Sequence, residues 1–198
     1  MPAAGAMEAA SLLSDFIEEP EAAAQAAAVR PPIALGVFFY FLSAGTVYLA
    51  EMVAEKSVLF GGSGFGLGIV CVWNAAWGLL LSSLVHVFAE GLGGRGKATA
   101  LFALLGFSEM GWLLLLPAAL IAQAVSPGGT ALFRAGFIFA GLLVFALKSR
   151  SIRLLYGIPA MQAAAALAAP YVSLIIAVAL GMLVGIWSLA AAAFEAFS

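Results

Sequence analysis

Hydrophobic residues make up 65% of the 198-residue chain and charged residues only 9%, against roughly 25% charged in a water-soluble domain, so the chain cannot cover itself with a solvated surface and its solvent is lipid. A formal net charge of -2 supplies no basic field for nucleic acid. The single cysteine, Cys71, excludes an internal disulfide and a multi-cysteine metal site, and the single aspartate, Asp15, argues against Mg²⁺ and phosphoryl-transfer chemistry.

Residues 1–32 form a leader ahead of a transmembrane domain over 33–198. Glu8, Asp15, Glu18, Glu19 and Glu21 precede the first basic residue, Arg30, which is the reverse of a secretory signal. Leu12, Leu13, Phe16 and Ile17 recur at helical spacing. They predict a short amphipathic helix over 8–17 lying on the membrane or on the protein, with a solvated, frayed leader as the alternative.

A spanning helix needs about 20 apolar residues. The first runs over 33–54, entered through Pro31-Pro32. The second covers 66–89, after the turn Gly61-Gly62-Ser63-Gly64. The third covers 101–125 and stops at Ser126-Pro127-Gly128-Gly129. The fourth covers 131–149 and the fifth 171–194. Between these last two, residues 151–169 carry Arg153, Tyr156-Gly157-Ile158-Pro159 and an alanine-rich stretch. They read as an interfacial or re-entrant segment, a short sixth span being the alternative. The fold class is an all-α polytopic membrane helix bundle of about five transmembrane helices.

Lysines and arginines in short loops set orientation. Arg30, Arg95, Lys97, Lys148, Arg150 and Arg153 fall on the side of the N-terminus, and only Lys56 and Arg134 on the other. That bias predicts a cytoplasmic N-terminus and a C-terminus outside. Among the small residues of the later helices, Gly181 and Gly185 form a GxxxG pair, and Gly136 and Gly141 lie early in the fourth helix. Such positions let backbones approach closely, either within the chain or in self-association.

Two motifs fail on inspection. Gly91-Leu92-Gly93-Gly94-Arg95-Gly96-Lys97 matches part of a phosphate-binding loop, but Ala98 stands where Ser or Thr should hold Mg²⁺, and the loop follows a membrane helix. A basic turn near anionic headgroups explains it better. Gly61-Gly62-Ser63-Gly64 spells the serine motif of rhomboid-type proteases. The only histidine, His86, lies at the other end of the second helix, roughly 35 Å away at 1.5 Å per residue. No catalytic, cofactor or metal site is specified.

Polar groups within the spans are functional candidates by default. Asn74, His86 and Glu109 form the candidate intramembrane polar site, with Glu109 about 6 Å from the midplane by helix rise. Glu109 with His86 would serve a proton or ion path. The bland reading is a packing pin, protonated or hydrogen-bonded to a neighbouring helix. Glu51 and Arg134 lie at similar depth and read as a structural ion pair.

The leader Ile17-Glu18-Glu19-Pro20-Glu21-Ala22-Ala23 before Arg30-Pro31-Pro32, the stretch from His86 to Gly96, and Leu154-Leu155-Tyr156-Gly157-Ile158-Pro159-Ala160 ending near Pro170 together span nearly the whole chain. In these the sequence resembles the bacterial branch of the Yip1 domain family, five-span proteins with a cytoplasmic N-terminus. It departs from the family in the third span, where Phe107 is followed by Ser108-Glu109-Met110-Gly111 and the proline waits until Pro117. The resemblance implies no enzymatic chemistry and no cofactor. The expected role is a non-enzymatic organiser or partner-binding protein of a bacterial inner membrane, contacting lipids, itself or other membrane proteins. The alternative is a small transporter, channel or lipid scramblase using a cavity around Asn74, His86 and Glu109.

Overall fold

The structure, a computed structural model, describes residues 13–54, 59–125 and 129–197. Every regular element among them is helical. In lipid a backbone must bond within itself, and long apolar segments therefore have little choice but helix. Five helical segments are long and apolar enough to cross a membrane: Ile33–Val53, Gly64–Gly91, Ala98–Val125, Thr130–Tyr156 and Ala160–Ser188. The chain is a multi-pass membrane protein.

The leader folds onto this bundle. Residues 13–18 form α1, and Glu19 separates it from α2, Pro20–Val29, whose proline occupies the first turn where a missing N–H costs nothing. Phe16 is buried and meets the Phe107 ring edge-on at 5.5 Å, and Phe107 meets Phe39 in the same way at 5.7 Å. Ala23, Ala24 and Ala27 give α2 a small flat face that closes against the third and fourth spans. Of the amphipathic segment 8–17, residues 8–12 lie outside the described residues. Its remainder rests on the protein, with Phe16 inward and Ile17 exposed.

The first span is α3, Ile33–Val53, and the second is α4, Gly64–Gly91. Ser63 caps α4, its Oγ accepting from the Gly66 N–H at 3.2 Å, which starts the helix two residues earlier than the apolar pattern predicts. The third span is broken into α5, Ala98–Ser108, a 3-10 segment, Glu109–Leu114, and α6, Leu115–Val125. Pro117 cannot bond to the carbonyl of residue 113, and the turns just before it are the ones that tighten. This span is the centre of the bundle: every residue from Ala100 to Glu109 is buried. It crosses α3 backbone to backbone. A Cβ on Gly106 would lie 2.6 Å from the Gly36 carbonyl oxygen, so no larger residue fits there.

The fourth span, α7, runs over Thr130–Tyr156 and ends on Gly157 in the left-handed conformation (φ 68°), whose N–H bonds the Arg153 carbonyl at 2.9 Å. The fifth, α8, runs unbroken from Ala160 to Phe197 with Pro170 inside it. Residues 151–169 therefore form no separate re-entrant or interfacial element and no sixth span. They are the last turns of α7, a tight glycine turn, and the first turns of α8. The apolar pattern missed this because Lys148, Arg150 and Arg153 lower its hydropathy while the helix continues beneath them.

The leader, the 92–97 loop and the 157–159 turn share one end of the bundle, called here the leader end. At that end α8 packs between α4 and α7 through Ala163, Ala166, Leu167 and Pro170. From Tyr171 to Ser188 every residue is exposed.

Candidate functional site

Glu109 opens the 3-10 segment at the middle of the third span and is 5% exposed. Its partner is Lys148 on α7, 9% exposed, whose Nζ donates to Glu109 Oε1 at 2.5 Å. One helical turn along α7, the Ser151 hydroxyl meets the Ser108 hydroxyl at 3.3 Å, and each also bonds a carbonyl of its own helix. The ion pair and the serine pair form a short polar seam joining the third and fourth spans. Gly111 keeps this seam close, since a Cβ there would lie 2.8 Å from Val144 Cγ2.

The sequence reading gave Glu109 either a proton or ion path with His86 or a packing role, protonated or bonded to a neighbouring helix, and the structure holds a bond to Lys148 on α7. That reading missed the partner, having counted Lys148 among the loop cations. Yet Ala140, Val144, Lys148, Ser151 and Leu155 recur at three- and four-residue steps and all are buried. That stripe is the signal which places Lys148 on the inward face.

Asn74 lies on α4, and its Nδ2 donates to the Tyr40 carbonyl at 2.8 Å and to Ser43 Oγ at 3.2 Å. These bonds tie α4 to α3. The same joint holds the Tyr40 ring over Gly78 and stacks it on Phe102 at 5.1 Å. Asn74 and Glu109 line one cleft of about 240 Å³ together with Ser43, Trp73, Trp112 and Phe137. His86 does not join them. It is near the leader end, where Nδ1 bonds the Tyr156 hydroxyl at 2.7 Å and Nε2 lies 3.6 Å from Glu90. The three candidates thus divide into a cleft with two members and a separate His86–Tyr156–Glu90 contact.

Glu51 and Arg134 form no ion pair. On α7 it is Phe133 that turns inward, to pack with Ala50, Ala54 and Leu115, and Arg134, about 100° further round the helix, is exposed. Similar depth placed the two charges at one level but not on facing sides. Gly136 and Gly141 do pack within the chain: Cβ atoms there would lie 3.1 Å from Ala118 Cβ and 3.4 Å from the Trp112 ring. Gly181 and Gly185 have nothing within 4 Å. Among the described residues nothing approaches them closely.

The glycine loop 92–97 is a latch rather than a phosphate cradle. The Gly93, Gly94 and Arg95 N–H groups bond the carbonyls of Glu90, Ala89 and Tyr156. Lys97 Nζ donates to the Ala28 carbonyl at 2.9 Å, capping the end of α2. Gly94 and Gly96 both abut Tyr156, where a Cβ would lie 2.8 Å from its Cβ and from its ring respectively. Ser63, the serine of the protease-like motif, is the cap of α4, and its carbonyl accepts from the Tyr48 hydroxyl at 3.1 Å.

No protein-family model, no curated protein and no solved structure matches the chain.

Proposed function

We propose that the protein is a non-enzymatic, Yip1-like organiser of a bacterial inner membrane, with its N-terminus in the cytoplasm, which acts by associating with membrane partners. The observation that carries this reading is the free half of the last helix. Over residues 171–188 every residue of α8 is exposed, and its Gly181 and Gly185 face is open. In lipid a helix gains association energy from close backbone contact, which this face offers and the bundle does not use. The polar groups within the spans support the same reading. Glu109 with Lys148, Asn74 with Tyr40 and Ser43, and His86 with Tyr156 each join one helix to another, and they do not line up as a conduit. The leader-end cations Arg30, Arg95, Lys97, Arg150 and Arg153 support the orientation.

Single cysteines at positions 181 and 185, in a Cys71→Ser background, test association by oxidative cross-linking in native membranes. The expected result is a cross-linked species that Gly181→Leu or Gly185→Leu at the neighbouring position suppresses while the monomer stays folded. Absence of any cross-linked species, with cysteines shown to be reactive, would remove the support for association through this helix.

A further inference from the structure

The cleft beside Glu109 has a chemistry distinct from that of the joints around it. Its walls are apolar and aromatic, with the Trp112 and Phe137 rings in contact at 5.0 Å between centroids. Trp73 stands at its mouth, 68% exposed. The mouth lies between α4 and α7. At the leader end α8 closes the gap between those helices, but beyond the Trp77–Tyr171 contact its residues are exposed as far as Ser188. The cleft therefore opens sideways, midway along the spans, toward the bilayer. Its volume of about 240 Å³ falls below the roughly 300–1,000 Å³ that encloses a whole drug-sized ligand. It has room for one end of a molecule whose remainder stays in lipid.

The hydrogen-bond inventory decides what end that is. Both N–H bonds of the Asn74 amide are engaged, and the Ser43 hydroxyl donates to the Tyr40 carbonyl at 3.1 Å. Asn74 Oδ1 and Glu109 Oε2 receive no bond among the described residues. The polar floor of the cleft thus offers two acceptors, and the donors left open among its described lining residues are the indole N–H groups of Trp73 and Trp112, which a hydroxyl oxygen can accept from. Charge narrows the choice further. Lys148 already balances Glu109 from outside the cleft, so a ligand cation would bring an uncompensated charge to mid-membrane. A ligand carboxylate would face two acceptors. A hydroxyl group donates to the carboxylate in a charge-assisted bond and adds no net charge.

We infer that the cleft binds the hydroxyl end of an uncharged lipid alcohol, which enters sideways from the bilayer between α4 and α7. This site is independent of association through α8.

The test uses the full chain in phosphatidylcholine nanodiscs. The chain has four tryptophans, and with Trp77→Phe and Trp187→Phe only the two that line the cleft report. Bromine quenches indole fluorescence on contact, so the probes are bromine-labelled stearyl alcohol, its methyl ether, the matching trimethylammonium compound and the matching fatty acid. The expected result is saturable quenching by the alcohol, about tenfold tighter than by the three others, the difference that one well-placed hydrogen bond supplies. Val47→Phe fills the cleft without touching its polar groups and should abolish the saturable component. Glu109→Gln with Lys148→Met keeps the site neutral but replaces a charged acceptor by an amide oxygen. It should weaken the alcohol several-fold and leave the methyl ether unchanged. Unlabelled diacylglycerol and unlabelled oleyl alcohol then compete for the site, and the better competitor identifies the lipid source. Equal quenching by all four probes, tighter quenching by the ammonium compound or the fatty acid, or saturable quenching that survives in folded Val47→Phe would each overturn the proposal. If the double variant fails to fold, the probe series and Val47→Phe still decide.

Discussion

Replacing Lys148 by methionine keeps the length and most of the apolar stem of the side chain while deleting the ammonium. The structure leaves Glu109 no substitute. It is 5% exposed, Lys148 is the one cation on it among the described residues, and the nearby Ser151 hydroxyl is engaged with Ser108 and the Leu147 carbonyl. Stranding a buried charge in this way costs about 3–5 kcal/mol. Glu109→Gln is milder, because the amide oxygen still accepts from Lys148 Nζ, and should cost about 1.5–3 kcal/mol, the worth of a hydrogen bond to a charged group. Removing both charges together, in Glu109→Leu with Lys148→Met, should bring stability back to within about 1 kcal/mol of wild type, since an apolar pair no longer requires desolvated charge. Reversible unfolding in mixed micelles, followed by circular dichroism, measures all three against wild type. The two single losses and the double loss form a cycle whose coupling energy should be well above about 0.5 kcal/mol, the scatter expected of independent sites. Lys148→Met within that scatter of wild type, or a double variant as weak as the sum of the singles, would refute the claim that this pair clamps the third and fourth spans.

Other substitutions probe the remaining joints. Phe16→Ala removes the anchor of the leader in the Phe16–Phe107–Phe39 chain of edge-on rings. Buried Phe→Ala changes cost about 3–5 kcal/mol, so limited proteolysis should cut the leader much faster while the spans keep their helicity, and an unchanged cleavage rate would contradict the docking. Gly106→Ala places a methyl 2.6 Å from the Gly36 carbonyl oxygen and should destabilise the bundle by about 1–3 kcal/mol through overpacking, read by the same unfolding assay. Cysteine labelling from outside the cell, in a Cys71→Ser background, should reach position 63 and spare position 95, and the opposite pattern would reverse the orientation.

The fold was legible in the sequence because lipid simplifies the code. Where solvent offers the backbone no bonds, apolar length alone marks a helix, and the first three of the five spans start and stop within a few residues of their apolar runs. The region before the last span was not legible. Arg150 and Arg153 read as loop charges, yet they ride on the exposed face of the last turns of α7 while Ser151, Ile152 and Leu155 on its other face are buried. The same lapse hid Lys148 as the partner of Glu109. Depth along a helix could be counted from sequence, which put Asn74 and Glu109 near mid-membrane. The side of the helix could not, so Glu51 was paired with an Arg134 that faces outward, and His86 was grouped with a cleft it does not reach. In α2 the run of alanines carries no amphipathic contrast, and nothing in its pattern announced that Ala23, Ala24 and Ala27 would close against the core. Gly181 and Gly185 could be read either as internal packing or as self-association, and the bundle makes no use of them.

The most direct measurement for the organiser reading is flux through the wild-type protein. Purified full-length chain, reconstituted into sealed phosphatidylcholine vesicles, is assayed in parallel for proton, monovalent-ion and fluorescent-lipid movement against protein-free vesicles. Because Glu109, Asn74 and His86 each bond a partner on a neighbouring helix and do not line up as a conduit, all three rates should equal those of the empty vesicles. Proton, ion or lipid flux that scales with protein and disappears in a folded Glu109→Gln variant would contradict the account and make the Glu109 cleft a transport site.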